Sequence, residues 1–165
     1  MHLTRSLSLI AALTALAAPA AAAEIGKDLT TGGGVGSTAF SSGLTGKRYL
    51  GENKAVQVFL GNGYGVYGGF YGGYGGGYGV SADLVIEKPI TDVPGLGKVF
   101  WGYGLGAGLS SWYGVGVSGV AELGLHLADF PVEVVTDIRP SFSIAGDDAG
   151  VRPFDGGGAV RYYFK

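Results

Sequence analysis

From Val99 to Leu109 the chain changes character at every second residue. Val99, Trp101, Tyr103, Leu105, Ala107 and Leu109 are apolar, and Gly102, Gly104, Gly106 and Gly108 stand between them. A period of two is the mark of an extended strand whose faces meet different surroundings; a helix would need a spacing of three and four. Glycine at this density also disfavours helix, because each one costs about 1 kcal/mol relative to alanine. This stretch therefore restricts the chain to β-structure with two unlike faces.

The same alternation recurs. Tyr78, Val80, Ala82, Leu84 and Ile86 oppose Gly79, Ser81, Asp83, Val85 and Glu87. Tyr113, Val115, Val117, Ala121, Leu123, Leu125 and Leu127 oppose Ser118, Glu122 and His126. Val132, Val134, Ile138, Phe142 and Ile144 oppose Glu133, Asp137, Arg139 and Ser143. At the end of the chain Phe154, Gly156, Gly158, Val160, Tyr162 and Phe164 oppose Asp155, Gly157, Ala159, Arg161 and Tyr163. Turn residues divide the sequence into eight candidate strands: 33–40, Leu44–Leu50, Ala55–Val66, Tyr78–Lys88, Lys98–Ser110, Tyr113–Leu127, Val132–Ile144 and Phe154–Phe164. A strand with its connection averages about 18 residues, which suits crossings of about 9–11 residues plus loops.

A sandwich in water would put its charges outside and its apolar faces on a shared core. Here the charged faces are too sparse for a solvated exterior, and Tyr or Trp stands near several strand ends, where the interfaces of a bilayer would lie. The pattern predicts an all-β fold, an eight-stranded antiparallel up-and-down transmembrane β-barrel with apolar side chains on lipid and ions within. Closure of the last strand on the first would remove the unpaired edge that hydrocarbon does not tolerate. Eight strands leave an interior just wide enough for side chains. The glycines of the 99–109 strand would make room there for Phe59, Arg161 or a carboxylate.

The N-terminus fits an exported chain. "MHLTR" is mildly basic, "SLSLIAALTALAA" is apolar but short for a spanning helix, and Ala21 and Ala23 form an A-x-A pair. Residues 1–23 are expected to be a cleaved signal peptide and 24–165 the barrel domain. Losing Arg5 takes the net charge from −2 to about −3, which argues against a polyanion partner such as nucleic acid. With no cysteine, an exported chain must rely on burial, hydrogen bonds or the membrane for stability. Glycine numbers 34, a level that often signals disorder, but 47% hydrophobic residues contradict it.

The polar faces place Lys47, Asp83, Glu87, Glu122, His126, Glu133, Asp137, Arg139, Asp155 and Arg161 inside. Isolated buried charges are expensive, so these are expected to form a lumen network of ion pairs and hydrogen bonds. Six acids against three bases, leaving His126 aside, would bias any pathway toward cations. His126 and Glu122 are four residues apart on an extended strand, about 13 Å, too far to share a hydrogen bond. No G-x-S-x-G appears, and one histidine with scattered carboxylates is a poor metal signature. No enzyme, cofactor or resident metal is expected. "GYGVYGGFYGGYGGGYG" contains G-x-G-x-x-G-like matches, but no helix follows to make them a nucleotide site. It reads as a surface loop in which Tyr67, Phe70, Tyr71 and Tyr74 offer contact area for lipid headgroups, an extracellular ligand or a host surface. In "AGDDAG", Asp147 and Asp148 read as a solvated turn, or as carboxylates for a divalent cation.

The ending "GGGAVRYYF" resembles the C-terminal strand of bacterial outer-membrane barrels. With "GLTGKRYL" and "LHLADFPVEVVTDIRP" it is similar to a family of small Gram-negative barrels of unassigned function, related in shape to OmpA and OmpX. The resemblance implies Tyr162 and Phe164 as the signal read by the assembly machinery, an outer-membrane location, lipid as the surrounding partner, and no reaction. An aromatic residue is usual in that family where Arg48 stands; Arg48 would face lipid and snorkel to the rim. The expectation is a monomer with periplasmic termini and a structural or surface-contact role. "SSG", the Gly/Tyr stretch, "SSW" and "AGDDAG" would then lie outside, and "GENK", "KPITDVPGLG" and "LADFP" in the periplasm. A small cation-preferring pore and a soluble periplasmic barrel holding an apolar ligand are the alternatives.

Overall fold

The structure is a computed structural model, and it describes residues 31–51, 53–62, 77–145 and 149–164. Residues 1–23, the loop residues Tyr67, Phe70, Tyr71 and Tyr74, and Asp147 and Asp148 lie outside the described residues.

Eight strands follow one another: β1 (Thr31–Ser37), β2 (Ser42–Tyr49), β3 (Lys54–Asn62), β4 (Gly79–Val93), β5 (Gly97–Ser110), β6 (Gly114–Leu127), β7 (Val132–Ser143) and β8 (Gly150–Phe164). Each pairs antiparallel with the next, and β8 returns to β1, so the sheet is a closed barrel. Thr31 and Phe164 pair at one end, here the terminal end; the turns after β2, β4 and β6 share it.

Parity decides which way each side chain points. Leu84, Leu105, Leu123 and Ile138 are exposed on the outside, Leu105 to 74%. Lys47, Glu87, Glu133, Arg139 and Arg161 are buried inside. The interior apolar residues are few: Tyr49, Ala55, Val85, Val120 and Tyr163 form one cluster, and Phe59, Phe100, Val135 and Ala159 another.

Where strand boundaries differ from expectation, local chemistry explains it. Phe40, expected near the end of the first strand, belongs instead to a turn that folds into the barrel mouth. Thr38 N donates to Ser41 O (2.7 Å), and Thr38 Oγ1 accepts from the amides of Phe40 and Ser41 (both 3.2 Å). The threonine hydroxyl thus replaces ladder partners and ends the strand. Phe40 is buried above Gly108 and Gly116, where a Cβ would strike its ring. β4 runs on to Val93, through residues expected to be a turn, and with β5 forms an exposed hairpin at the terminal end. β3 pairs as far as Ile86 and Asn53 O accepts one more bond, from Glu87 N, so beyond it this extension has a free edge among the described residues. Pro89 sits there at a bulge, a position where a strand tolerates a missing donor. β8 starts at Gly150, before the expected Phe154, and a second irregularity between Arg139 and Ser141 disturbs its pairing with β7.

The seam between β8 and β1 is lined by glycine on the β1 side. Tyr163 lies inside against Gly32, about where a Cβ would stand (2.9 Å), and Phe164 lies outside against Gly33 (3.4 Å). Two consecutive aromatics thus straddle the same strand from opposite faces.

Candidate functional site inside the barrel

All ten ionisable residues assigned to the interior are buried there. They fall into two main groups, and Asp155 stands beside the mouth.

The first group lies toward the terminal end. Lys47 Nζ donates to Glu133 Oε2 (2.6 Å) and also pairs with Glu87. Glu133 is held as well by Arg161 Nη1 (2.5 Å) and the Tyr163 hydroxyl (2.8 Å). Tyr49 OH donates to Glu87 Oε2 (2.7 Å). Arg161 reaches further, through Nε to Thr45 Oγ1 (3.2 Å) and through Nη2 to Gln57 Oε1. Gln57 Nε2 then donates to Glu122 Oε2 (2.9 Å). Charge-assisted bonds of this kind are about twice as strong as neutral ones, and each guanidinium or ammonium here spans several strands. His126 Nε2 lies 3.3 Å from Tyr49 OH and 3.4 Å from Glu133 Oε2, with its ring on Phe100 (4.8 Å between centroids).

The second group lies nearer the mouth. Arg139 grips Asp137 with two nitrogens, Nε to Oδ1 (2.6 Å) and Nη2 to Oδ2 (3.2 Å), and Asp83 Oδ2 with the third (2.8 Å). Phe59 separates the groups, its ring 5.5 Å from the Arg139 guanidinium and 5.4 Å from that of Arg161. Both arginines thus stack against one ring in the bore, within cation–π range. Asp155 stands 3.7 Å from Arg152 Nη1, and Arg152 lies 3.8 Å from the Tyr113 ring centroid.

Sequence reasoning had not singled out Tyr49, Tyr163, Gln57 and Thr45 as partners. Their parity was available: Tyr49 and Thr45 share a face with Lys47, Gln57 with Phe59, and Tyr163 with Arg161. Arg152 falls before the expected start of the last strand at Phe154, and the irregularity between Arg152 and Asp155 shifts the alternation that would have reached it. Tyr162 and Phe164 lie on the outside, their rings edge to face at 5.5 Å.

Ligand atoms of Glu87, His126 and Glu133 lie within 4.8 Å of one another, a spacing that a metal ion could bridge. The Lys47 ammonium already lies against both carboxylates, however, and Arg161 and Tyr163 share Glu133. A metal there would have to displace the lysine and bear the repulsion of the arginine, so the donor set suits an internal ion pair better than a metal. No protein-family model, curated protein or solved structure matches the chain.

Proposed function

We propose that this protein is an outer-membrane barrel of a diderm bacterium, exported by a cleaved signal peptide, with its outer wall in lipid and its bore closed by side chains. One observation carries the reading: the barrel is inside out for water. Leu44, Leu60, Leu84, Leu105, Leu123, Ile138 and Phe142 are exposed on the wall, while Lys47, Glu87, Glu133, Arg139 and Arg161 are buried. A leucine fully removed from water is worth about 1.5–3 kcal/mol. In water this wall would forgo that gain at residue after residue while the interior bore the cost of burying ions; in hydrocarbon both arrangements are favourable.

The closed bore supports an envelope-structural or surface-contact role, with the Gly/Tyr stretch as the contact loop. Among the described residues the interior has six carboxylates and three basic groups besides His126, the bias of a cation pathway, but Phe59, Arg139, Arg161 and the inward Phe40 occupy the lumen. Buried ion pairs also leave little apolar lining for a hydrophobic ligand, which weighs against the soluble reading. Lipid and the assembly machinery are the proposed partners, and a monomer is the proposed state. The test is fractionation combined with gel mobility in detergent before and after boiling. Recovery in outer membranes with a heat-dependent shift supports the proposal; recovery in an osmotic-shock supernatant refutes it.

A further inference from the structure

The two ionic groups do not use all their acceptors. Asp83 Oδ2 accepts from Arg139, whereas Asp83 Oδ1, Ser118 Oγ and Ser141 Oγ have no hydrogen-bond partner among the described residues although all three residues are at least nine-tenths buried. Register brings them together. Asp83 pairs across β4 and β5 with Gly106, Gly106 with Ser118 of β6, and Ser118 with Ser141 of β7. All four positions point into the barrel. Gly106 is the gap in that row: a Cβ there would collide with Asp83 Oδ1 and would lie 2.8 Å from Ser118 Oγ. Two unpartnered oxygens from different strands therefore converge on the one place in the row where no side chain stands.

We infer that Asp83 Oδ1 and Ser118 Oγ, with Ser141 next to them in the row, form a binding site for a monovalent metal cation, sodium or potassium, seated over Gly106. Charge sets the sign of the ligand. Arg139 is shared by two aspartates, so the Asp83–Asp137–Arg139 group carries one net negative charge when all three are ionised. An anion would meet the free carboxylate oxygen. A divalent ion generally takes more carboxylate ligands than the single free carboxylate here, and it seeks six to eight oxygens or a tight octahedron. One carboxylate oxygen with hydroxyls suits a weakly hydrated single charge. Phe40 covers Gly108, two residues along β5 toward the mouth, and shields the site from bulk water. In such surroundings a free carboxylate oxygen is costly unless it is paired. The inference goes beyond the membrane reading and does not depend on it.

The test uses the folded barrel in detergent. Urea unfolding is followed in sodium or potassium chloride and in choline chloride at equal ionic strength, choline being too large for the row. Excess sodium-23 relaxation, competed by potassium, reports occupancy directly. The site predicts a higher unfolding midpoint in the metal salts, with the folding equilibrium constant rising toward tenfold per tenfold of cation once the site is nearly full. Ser118→Ala should weaken this dependence, and Gly106→Ala, which fills the gap without altering charge, should abolish it along with the competed relaxation. Equal midpoints in all three salts would overturn the inference. So would a cation effect that both variants retain in full. If Gly106→Ala does not fold, Ser118→Ala and the relaxation measurement decide.

Discussion

Replacing Lys47 by methionine isolates the most concentrated charge contact in the barrel. The methionine keeps much of the stem and its packing but leaves Glu87 and Glu133 without the ammonium between them. The two carboxylates are not affected alike. Glu133 keeps Arg161 at 2.5 Å and the Tyr163 hydroxyl at 2.8 Å, whereas Glu87 keeps only the Tyr49 hydroxyl at 2.7 Å. Breaking a buried pair so that one charge is left uncompensated costs about 3–5 kcal/mol, and nearly all of it should fall on Glu87. At a urea dependence of about 2 kcal/mol/M, the midpoint should drop by roughly 1.5–2.5 M. Lys47→Met/Glu87→Gln should recover to within about 1 kcal/mol, because a neutral amide can still accept from Tyr49. Lys47→Met/Glu133→Gln should not recover, since it removes the counter-charge of Arg161 and leaves Glu87 charged. Equilibrium urea unfolding of the detergent-folded protein, read by tyrosine and tryptophan fluorescence, measures all three. A loss below about 1 kcal/mol for the single variant, or equal rescue by both second changes, would refute the account of this cluster.

Leu105→Arg, on the exposed wall, should cost about 2–4 kcal/mol when the barrel is folded in phospholipid vesicles; a loss near zero would place that wall in water. Phe40→Ala should lower stability by about 3–5 kcal/mol, because a fully buried ring is removed from a packed mouth, as read by thermal unfolding. Gly124→Ala should cost about 1–3 kcal/mol, since its Cβ would collide with the Phe100 ring. Gly51→Ala, with nothing within 4 Å, is the matched control and should be neutral. Pro89→Val should leave stability nearly unchanged but produce concentration-dependent oligomers in cross-linking, by restoring a donor to the free edge of β4.

The sequence made the wall legible because alternation needs no knowledge of partners: Leu84, Leu105 and Leu123 lie outside, and Glu87, Glu122 and Glu133 inside, by parity alone. What parity could not supply was pairing around the barrel. Whether Lys47 meets Glu87, or Arg139 meets Asp83, depends on how far each strand is offset from the next across the bore, and this offset is a tertiary property. Two local rules also misled. Phe40 fits a strand pattern, but Thr38 caps the strand with its own hydroxyl and turns the ring inward. Pro89 reads as a stop, yet on an unpaired edge it interrupts nothing. The irregularity opposite Arg139 and Ser141 shifts the count, and with it the view of Arg152.

The seam has a consequence for how the cylinder is completed. "TGGGVG" in β1 presents almost nothing by which a neighbouring strand could measure its position, and a glycine-rich strand specifies register weakly. Alignment therefore falls to what reaches over it: Arg161, which bonds to Thr45 and Gln57 beyond it, and the two rings that clasp it, Tyr163 from within and Phe164 from without. The two aromatics act as a latch across the seam. A chain without those two rings would retain every hairpin, and the meeting of its two ends would be left to the reach of Arg161 across the seam to Thr45 and Gln57.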